Sequence, residues 1–431
     1  MSALAKRQAT TVIAPPAAPE AASLLADVIG EWQPAGEKGA CRVARLIEEN
    51  LIARDWPQGL ACGSEQALAE SFGVGRAVIR EAMRILEVRG TARMVPGPNG
   101  GLRVTPVDPA RTAGFVVGFA AFHDITKVQL RDTADALARA RADRTGGAAA
   151  PEVERQASRA IDFFEDVLAV VGEHLDDGAG KEHASSILLA PEALRRSRAG
   201  QIAALLLREC SVEEWRHGHR LGSEEDLCFR LGVDRDSFRQ AVRILESAGA
   251  AEANCGRGRG LISKSPRAGA VARLVSCLFA STDILPDAVM LVFERLNAEI
   301  VALAAARAEE PDCAAIEEAL DQLAQALDDD DSDIALGCVF EVEEAIVRTC
   351  ANPLLHLVVQ SLRAYPTARM PRDPHRLRDL NREYLRLSCP LLGALRANDV
   401  RAAVRAQHAR TETMKISSRS VGRPAFAQKE H

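Results

Sequence analysis

The chain contains an internal repeat, and this repeat limits what it can fold into. Residues 41–104 align without a gap on residues 200–263 at a constant offset of 159, and 22 of the 64 aligned positions are identical. The offset continues further, because Asp124 aligns with Asp283 in front of a second pair of helical patterns. Self-similarity of this kind indicates a duplicated structural unit. The sequence therefore predicts two similar domains in one chain.

Each copy predicts three helices followed by a hairpin. In the first copy, apolar residues at helical spacing predict a helix over 39–53, which ends before a turn at 56–59. Ser64 is a good N-cap for a short second helix, and a glycine-containing turn follows it. A third helix is predicted over about 76–89, and the glycine- and proline-rich stretch 91–104 predicts a hairpin. This order is typical of a winged helix-turn-helix domain.

The third helix of each copy carries two arginines one turn apart on its N-terminal half. This half of a recognition helix is the part that meets base edges in the major groove. The alternative, that these are ordinary solvated helix arginines, stays open, and it is stronger in the second copy because Asp234 can simply cap the helix. The residues assigned to DNA contact are Gln66, Arg76, Ala77, Arg80, Arg235, Arg239, Arg257 and Arg259.

The first copy resembles the DNA-binding domain of the GntR family of bacterial regulators, in the branch that is similar to fatty-acid regulators. The pattern is a turn ending in Gly, then Ser-Glu, Leu-Ala, Phe-Gly-Val, Arg, Arg-Glu-Ala, Leu-Glu and Gly. It is present at Gly59, Ser64-Glu65, Leu68-Ala69, Phe72-Gly73-Val74, Arg76, Arg80-Glu81-Ala82, Leu86-Glu87 and Gly90. The resemblance implies a sequence-specific transcription regulator that binds double-stranded operator DNA and responds to a small organic effector or to oligomerisation.

Both copies depart from the family pattern. Gly63 and Gly75 replace the usual Pro and Ser or Thr in the first copy, and the second change removes one phosphate contact. The second copy has Asp234 and Asp236 on either side of Arg235. Carboxylates that face DNA phosphates weaken binding. We therefore expect the first copy to bind DNA more strongly than the second.

Residues 266–415 resemble the family's all-helical effector domain, most clearly at the Ala-Asn-Pro-Leu-Leu sequence of 351–355. Many members hold a metal ion there with one Asp and three His. The matching positions are Val339, Glu343, Ser388 and Arg410, so we expect neither a metal nor a cofactor. His408 lies two residues before the position of the last ligand, and Glu343 occupies the position of the first histidine. A lone His with a Glu is more often a hydrogen-bonding pair than part of a ligand set.

Composition excludes several classes of protein. A formal net charge of −6 argues against a protein that coats nucleic acid or membranes through overall positive charge. The ten cysteines have no C-x-x-C spacing, which favours reduced thiols over zinc or disulfides. Neither a signal peptide nor an apolar run of about 18 residues is present, so a cytoplasmic protein without membrane contact is expected. No sequence context anchors a catalytic group, and we expect no enzyme.

The predicted fold class is mainly α, with two winged helix-turn-helix domains and an all-helical C-terminal bundle of the effector type. Residues 107–192 look like a shortened opening of the same bundle, too short for a complete effector pocket. The predicted divisions are a flexible segment 1–36, a first winged domain 37–106, the shortened helical segment 107–192, a second winged domain 193–265, the helical domain 266–415 and a flexible tail 416–431.

The sequence also predicts self-association. Leu354, Leu355, Leu357 and Val358 exceed what a short bundle needs to bury internally, which favours a homodimer. An alternative function is a helical interaction protein that derives from a duplicated regulator and no longer reads DNA. The sequence does not define the effector.

Overall fold

A computed structural model describes residues 39–97, 100–143, 149–176, 197–247, 249–254, 260–367 and 374–419. The fold is mainly helical, with two small three-stranded sheets in these residues. The predicted segment 1–36 and the wing arginines Arg257 and Arg259 lie outside the described residues.

The first head, as we call residues 39–104, has the predicted order of elements. It consists of α1 (Gly39–Ala53), β1 (Ala61–Gly63), α2 (Glu65–Phe72), α3 (Arg76–Arg89), β2 (Ala92–Val95) and β3 (Gly101–Val104). The Ser64 side chain accepts a hydrogen bond from the Ala67 amide, which confirms the predicted N-cap. Strand β3 lies between β1 and β2, and all pairings are antiparallel.

The second head, residues 197–263, repeats this order with one additional short helix, α8, before its first strand. It consists of α7 (Arg198–Leu207), α8 (Val212–Arg216), β4 (Arg220–Gly222), α9 (Glu224–Leu231), α10 (Arg235–Ser247), β5 (Ala251–Asn254) and β6 (Gly260–Ser263). The strand order β4-β6-β5 corresponds to β1-β3-β2, and each sheet has a register shift at the same place. At Gly101 and Gly260 a side chain would collide with the carbonyl of the facing strand, so glycine is required at both.

The described residues between the heads form three helices, and the first two have counterparts beyond the second head. They are α4 (Pro109–Phe122), α5 (Lys127–Ala142) and α6 (Pro151–Asp176), followed after the second head by α11 (Ala268–Ser281) and α12 (Pro286–Arg307). Asp124 and Asp283, which follow α4 and α11, both adopt the left-handed conformation, with φ of 53° and 56°. The structural correspondence therefore continues at the offset of the sequence repeat.

The C-terminal bundle consists of α11, α12 and five further helices. These are α13 (Glu310–Asp328), α14 (Ser332–Thr349), α15 (Pro353–Thr367), α16 (Pro374–Arg396) and α17 (Val400–Arg419). Helix α17 extends beyond residue 415, where the sequence analysis placed the start of the flexible tail. Helices α5 and α6 pack against α12 of this bundle, and α4 packs against α11.

The apolar residues that suggested a homodimer are covered within one chain. Leu354, Leu355 and Leu357 are fully buried and Val358 is nearly so. Their helix, α15, packs against α11 and α12 and also against α5 of the shortened segment. The reason for expecting a homodimer was therefore wrong, because α11 and α12 of the bundle, together with α5, cover this helix within one chain. The association state itself is not tested by this packing.

Within the described part of the chain, no helix is long and apolar enough to span a bilayer.

Candidate nucleic-acid interface and effector-domain sites

The first head presents its two recognition arginines on one exposed surface. Arg76 and Arg80 lie on the outer side of α3, and Ala77 between them is also exposed. Gln66 of α2 accepts a hydrogen bond from Arg76 Nη2 at 3.1 Å, and Arg80 Nε lies 3.2 Å from Glu65 Oε1. These exposed contacts contribute little to stability, so the arginines are available to DNA. The structure thus brings together all four predicted contact residues of this head.

The second head holds its two arginines in the corresponding places. Arg239 Nη2 lies 3.0 Å from Glu224 Oε1, and Arg235 Nη2 lies 3.9 Å from Glu225 Oε1. Asp234 caps α10, because its carboxylate accepts a hydrogen bond from the Ser237 amide at 2.8 Å. That hydrogen bond lowers the pKa of Asp234.

The two surfaces differ in charge far more than in shape. Corresponding positions carry Glu65, Gln66, Ala67, Gly75 and Ala77 in the first head and Glu224, Glu225, Asp226, Asp234 and Asp236 in the second. At these five positions the first head therefore has one carboxylate and the second has five. Asp234 and Asp236 were predicted from the sequence to weaken binding, whereas Glu225 was not, although the same alignment places it opposite Gln66. The folded chain shows why Glu225 matters, because it lies near Arg235 as Gln66 lies near Arg76.

A buried polar cluster fixes the recognition helix of the first head. Glu48 of α1 is fully buried and accepts hydrogen bonds from Arg89 Nη1 at 2.8 Å and from Thr91 Oγ1 at 3.1 Å. Arg89 is the last residue of α3, so this cluster ties the end of α3 to α1. In the second head, Leu207 and Ala250 occupy the positions of Glu48 and Thr91, and the packing there is apolar.

Three of the four positions that match the family's metal ligands come together in the effector domain. Arg410 forms an ion pair with Glu343 and donates to Ser388 Oγ at 3.2 Å, while Tyr384 donates to Glu343 Oε1 at 2.6 Å. Burial works to lower the pKa of Arg410, but the Glu343 carboxylate raises it overall. His408 is exposed, and Glu343 pairs with Arg410 instead. The guanidinium of Arg410 thus supplies a positive charge at the positions that match the metal ligands.

A cleft of about 560 Å³ lies between the shortened segment, the exit of the second head and the bundle. His123 Nε2 contacts the Pro266 carbonyl at 2.9 Å on one side, and His356 Nε2 lies 2.6 Å from Glu344 Oε1 on the other. Burial works to raise the pKa of Glu344, but hydrogen bonding and charge from His356, together with the charge of Arg363, lower it to about 2. The glutamate is therefore a permanent anion at this wall.

A second property of this cleft is that its lining belongs both to the bundle and to the connection from the second head. Its lining includes residues 265–269, which lead directly from strand β6 of the second head into α11. The opposite wall consists of α14 and α15 side chains, among them His356 and Gln360. A molecule in this cleft would touch both the bundle and the connection to a head.

Comparisons with known proteins assign the two ends of the chain. Residues 40–100 match the family profile of the bacterial regulatory proteins of the gntR family, and residues 289–411 match the FCD domain profile. Among solved structures, Streptococcus agalactiae GntR is 21% identical with a TM-score of 0.41, over 51% of this chain and 99% of that one. E. coli McbR/YncC is 19% identical with a TM-score of 0.28, over 52% of this chain and 98% of that one. Comparison with curated proteins finds no match.

The first head is thus a GntR-family helix-turn-helix domain, and the C-terminal bundle contains an FCD domain. This combination makes the chain a DNA-binding transcription regulator that responds to a small metabolite.

Proposed function

We propose that the chain reads operator DNA mainly through its first head. The second head is a further winged helix-turn-helix domain that assists the first, and a small organic effector adjusts the placement of one head relative to the other. The observation that carries the proposal is the exposed pair Arg76 and Arg80, one turn apart on α3. Arginines in that position reach the O6 and N7 acceptors of guanine in the major groove. Neutral Gly75 and Ala77 leave the approach to phosphate without repulsion.

The features of the second head favour a role in which it assists the first head over a role in which it reads DNA independently. Its element order, strand order and recognition arginines match those of the first head, which favours the same docking geometry. Five carboxylates on the same surface oppose the charge neutralisation that supplies non-specific affinity. We therefore assign it a smaller share of the binding free energy. Arg257 and Arg259 of its wing would offset part of the repulsion if they reach the DNA.

An effector can act on DNA binding through the cleft that residues 265–269 line. A ligand that contacts both His356 and the connection to the second head binds one head orientation more tightly than another. Such differential binding changes operator affinity, and the coupling is reciprocal. Operator affinity measured against a panel of small organic metabolites, in the wild type and in His356→Ala, tests this route. An effector whose action is unchanged by His356→Ala would place the effector site elsewhere.

The main experiment is genome-wide DNA capture with the purified chain at several salt concentrations. We expect recurrent capture of a small set of sequences, with affinity that falls as salt rises. Uniform capture at all salt concentrations, or no capture, would contradict the proposal.

One surface favours a second candidate function, a helical interaction protein that no longer reads DNA. Phe229 on α9 is 88% exposed and stands beside the acidic surface of the second head. Exposed aromatic side chains of this kind occur at protein–protein interfaces. The intact first head argues against this function for the whole chain, and absence of sequence-selective capture would favour it.

A further inference from the structure

Structurally equivalent helices of the two halves contact each other. Helix α3 packs against α10, α4 against α11 and α5 against α12, and each pair consists of elements that the offset of the repeat relates. Between the heads, Arg243 Nε of α10 lies 2.5 Å from Glu81 Oε1 of α3. Between α5 and α12, Arg139 Nε lies 2.6 Å from Glu299 Oε2. Contacts between equivalent elements are the mark of an isologous interface, which a two-fold axis generates.

The contacts between heads and helices are also reciprocal. Gln58 of the first head donates to the carbonyl of Ser281, at the end of α11, at 3.0 Å. In the second head, the Trp215 ring lies 6.2 Å from the ring of Phe122 at the end of α4, with Arg216 3.6 Å from Asp124. Each head therefore packs on the helix that follows the other head. A head-to-tail arrangement would make such a contact in only one direction.

The links that leave the heads show the same exchange. The Val107 amide, just after the first head, donates to Ser281 Oγ at 3.3 Å. The carbonyl of Pro266, just after the second head, contacts His123 Nε2 at 2.9 Å. Positions 107 and 266 correspond at the offset of the repeat, and the two partners lie at the ends of the corresponding helices α11 and α4.

Helices α6 and α15 occupy similar places in the two halves, although the offset of the repeat aligns α6 with α13 and not with α15. Helix α6 packs against α4, α5 and α12, and α15 packs against α11, α12 and α5. Since α4 is equivalent to α11 and α5 to α12, the neighbours of α6 in one half are equivalent to these neighbours of α15 in the other. Gln156 of α6 accepts a hydrogen bond from the Leu285 amide at the start of α12, at 2.8 Å. Asn352, next to α15, donates to the Gln129 carbonyl at the start of α5, also at 2.8 Å. The described residues of the shortened segment thus include the helices that form this interface.

We infer that one chain is its own two-fold assembly: a single chain covers both halves of one operator, and a second copy is not required. This inference rests on the proposed function, because it assumes that the heads bind DNA. Since α3 and α10 touch, the two half-sites must lie closer than one helical turn, about 10 base pairs. The operator is therefore a compact and imperfect inverted repeat. Its half under the first head is read by base contacts, and its half under the acidic second head tolerates substitution.

The first test is the number of chains in the free protein and on the captured operator. Sedimentation and native mass measurement at micromolar concentration are expected to give a monomer and a complex of one chain per DNA duplex. A dimer in solution, or two chains per operator, would overturn the inference. The proposed function fails in a different way, namely by absence of sequence-selective binding at any stoichiometry.

The second test addresses the contact between the heads. Glu81→Arg places two cations at this contact and is expected to weaken binding to the full operator about 3- to 10-fold, with little effect on a duplex that carries the first half-site alone. The double variant Glu81→Arg with Arg243→Glu restores the ion pair and is expected to recover most of the loss. Asp166→Arg, on the exposed side of α6, is the control for the change in net charge.

Two results of the second test would contradict the inference. One is an equal loss on the full operator and on the half-site, because it would show that Glu81 acts inside the first head only. The other is failure of the double variant to recover while its thermal unfolding matches the wild type. Insertion of five base pairs between the half-sites should abolish the added affinity of the second half.

Discussion

Arg76 and Arg235 occupy corresponding positions, and their different neighbours decide how each can act. The amide of Gln66 contacts Arg76, whereas the carboxylate of Glu225 lies near Arg235. An amide leaves the guanidinium charge uncompensated, so DNA phosphate or guanine gains the full attraction. A carboxylate must be displaced or left near the phosphates, which costs binding free energy.

The first prediction compares the two pairs of arginines. Arg76→Ala with Arg80→Ala is expected to cost more operator affinity than Arg235→Ala with Arg239→Ala, since a lost base contact is worth about 1 to 3 kcal/mol. Both double variants are titrated on the captured operator at one fixed salt concentration. Equal losses would show that the heads are equivalent readers.

The second prediction removes the acidic residues of the second head. Glu225→Gln, Asp236→Ala and Asp234→Asn together should raise operator affinity and steepen its salt dependence, because three anions leave the DNA-facing surface. Asn is chosen at position 234 because it retains the helix cap. Thermal unfolding of the variant checks that the cap survives. No gain in affinity, or a loss, would show that the second head does not approach DNA.

The third prediction concerns the guanidinium of Arg410 in the effector domain. Its ion pair with Glu343 occupies positions that match metal ligands in the family. Purified protein should retain no stoichiometric zinc, nickel or manganese after dialysis, and a chelator should leave its unfolding temperature unchanged. Metal that survives dialysis and disappears in a variant of His408 and Glu343 would contradict this assignment.

At the scale of single elements, helix bounds follow closely from local signals in the sequence. Ser64, the turn glycine Gly73 and the arginines of α3 define the helix-turn-helix, because caps and turns depend on residues near in sequence. The role of Glu48 could not be predicted in this way. Its partners Arg89 and Thr91 are more than 40 positions away, and only the folded chain brings them together. The place of α6 in the bundle was missed for the same reason.

The fourth prediction concerns α14 and the cleft. The folded chain holds the pKa of Glu344 at about 2, below its ordinary value of 4.5, so its ionised form stabilises the fold above about pH 5. That contribution is lost as the pH falls toward 2. Glu344→Gln should therefore lower the free energy of unfolding at pH 7 by up to about 3 kcal/mol, and the difference from wild type should shrink as the pH falls from 4.5 to 3. Urea unfolding at pH 7, 5 and 3.5 measures this, with Glu341→Gln, on an exposed site of α14, as the control. A difference that does not depend on pH would assign the effect of the substitution to packing.

At the scale of the whole molecule, the repeat predicted two similar heads, and resemblance predicted the FCD domain. The sequence could not show how the halves face each other, because that depends on contacts such as Gln58 with Ser281, 223 positions apart. It also suggested an intermolecular partner for Leu354 and its neighbours. Their helix packs instead within the same chain, against α11 and α12 of the bundle and against α5 of the shortened segment.

The joining of both heads in one covalent chain changes how a cell would set operator occupancy. Some regulators must form a dimer before they bind DNA. At concentrations where such a dimer dissociates, operator occupancy falls as the square of the subunit concentration, so a minimum number of copies is needed. A single chain has no such threshold, and its occupancy rises in proportion to its amount at low copy number. If one chain is the binding unit, its FCD domain serves both heads. The response to a metabolite is then a simple saturation curve with a Hill coefficient of about one, rather than a switch sharpened by two coupled sites.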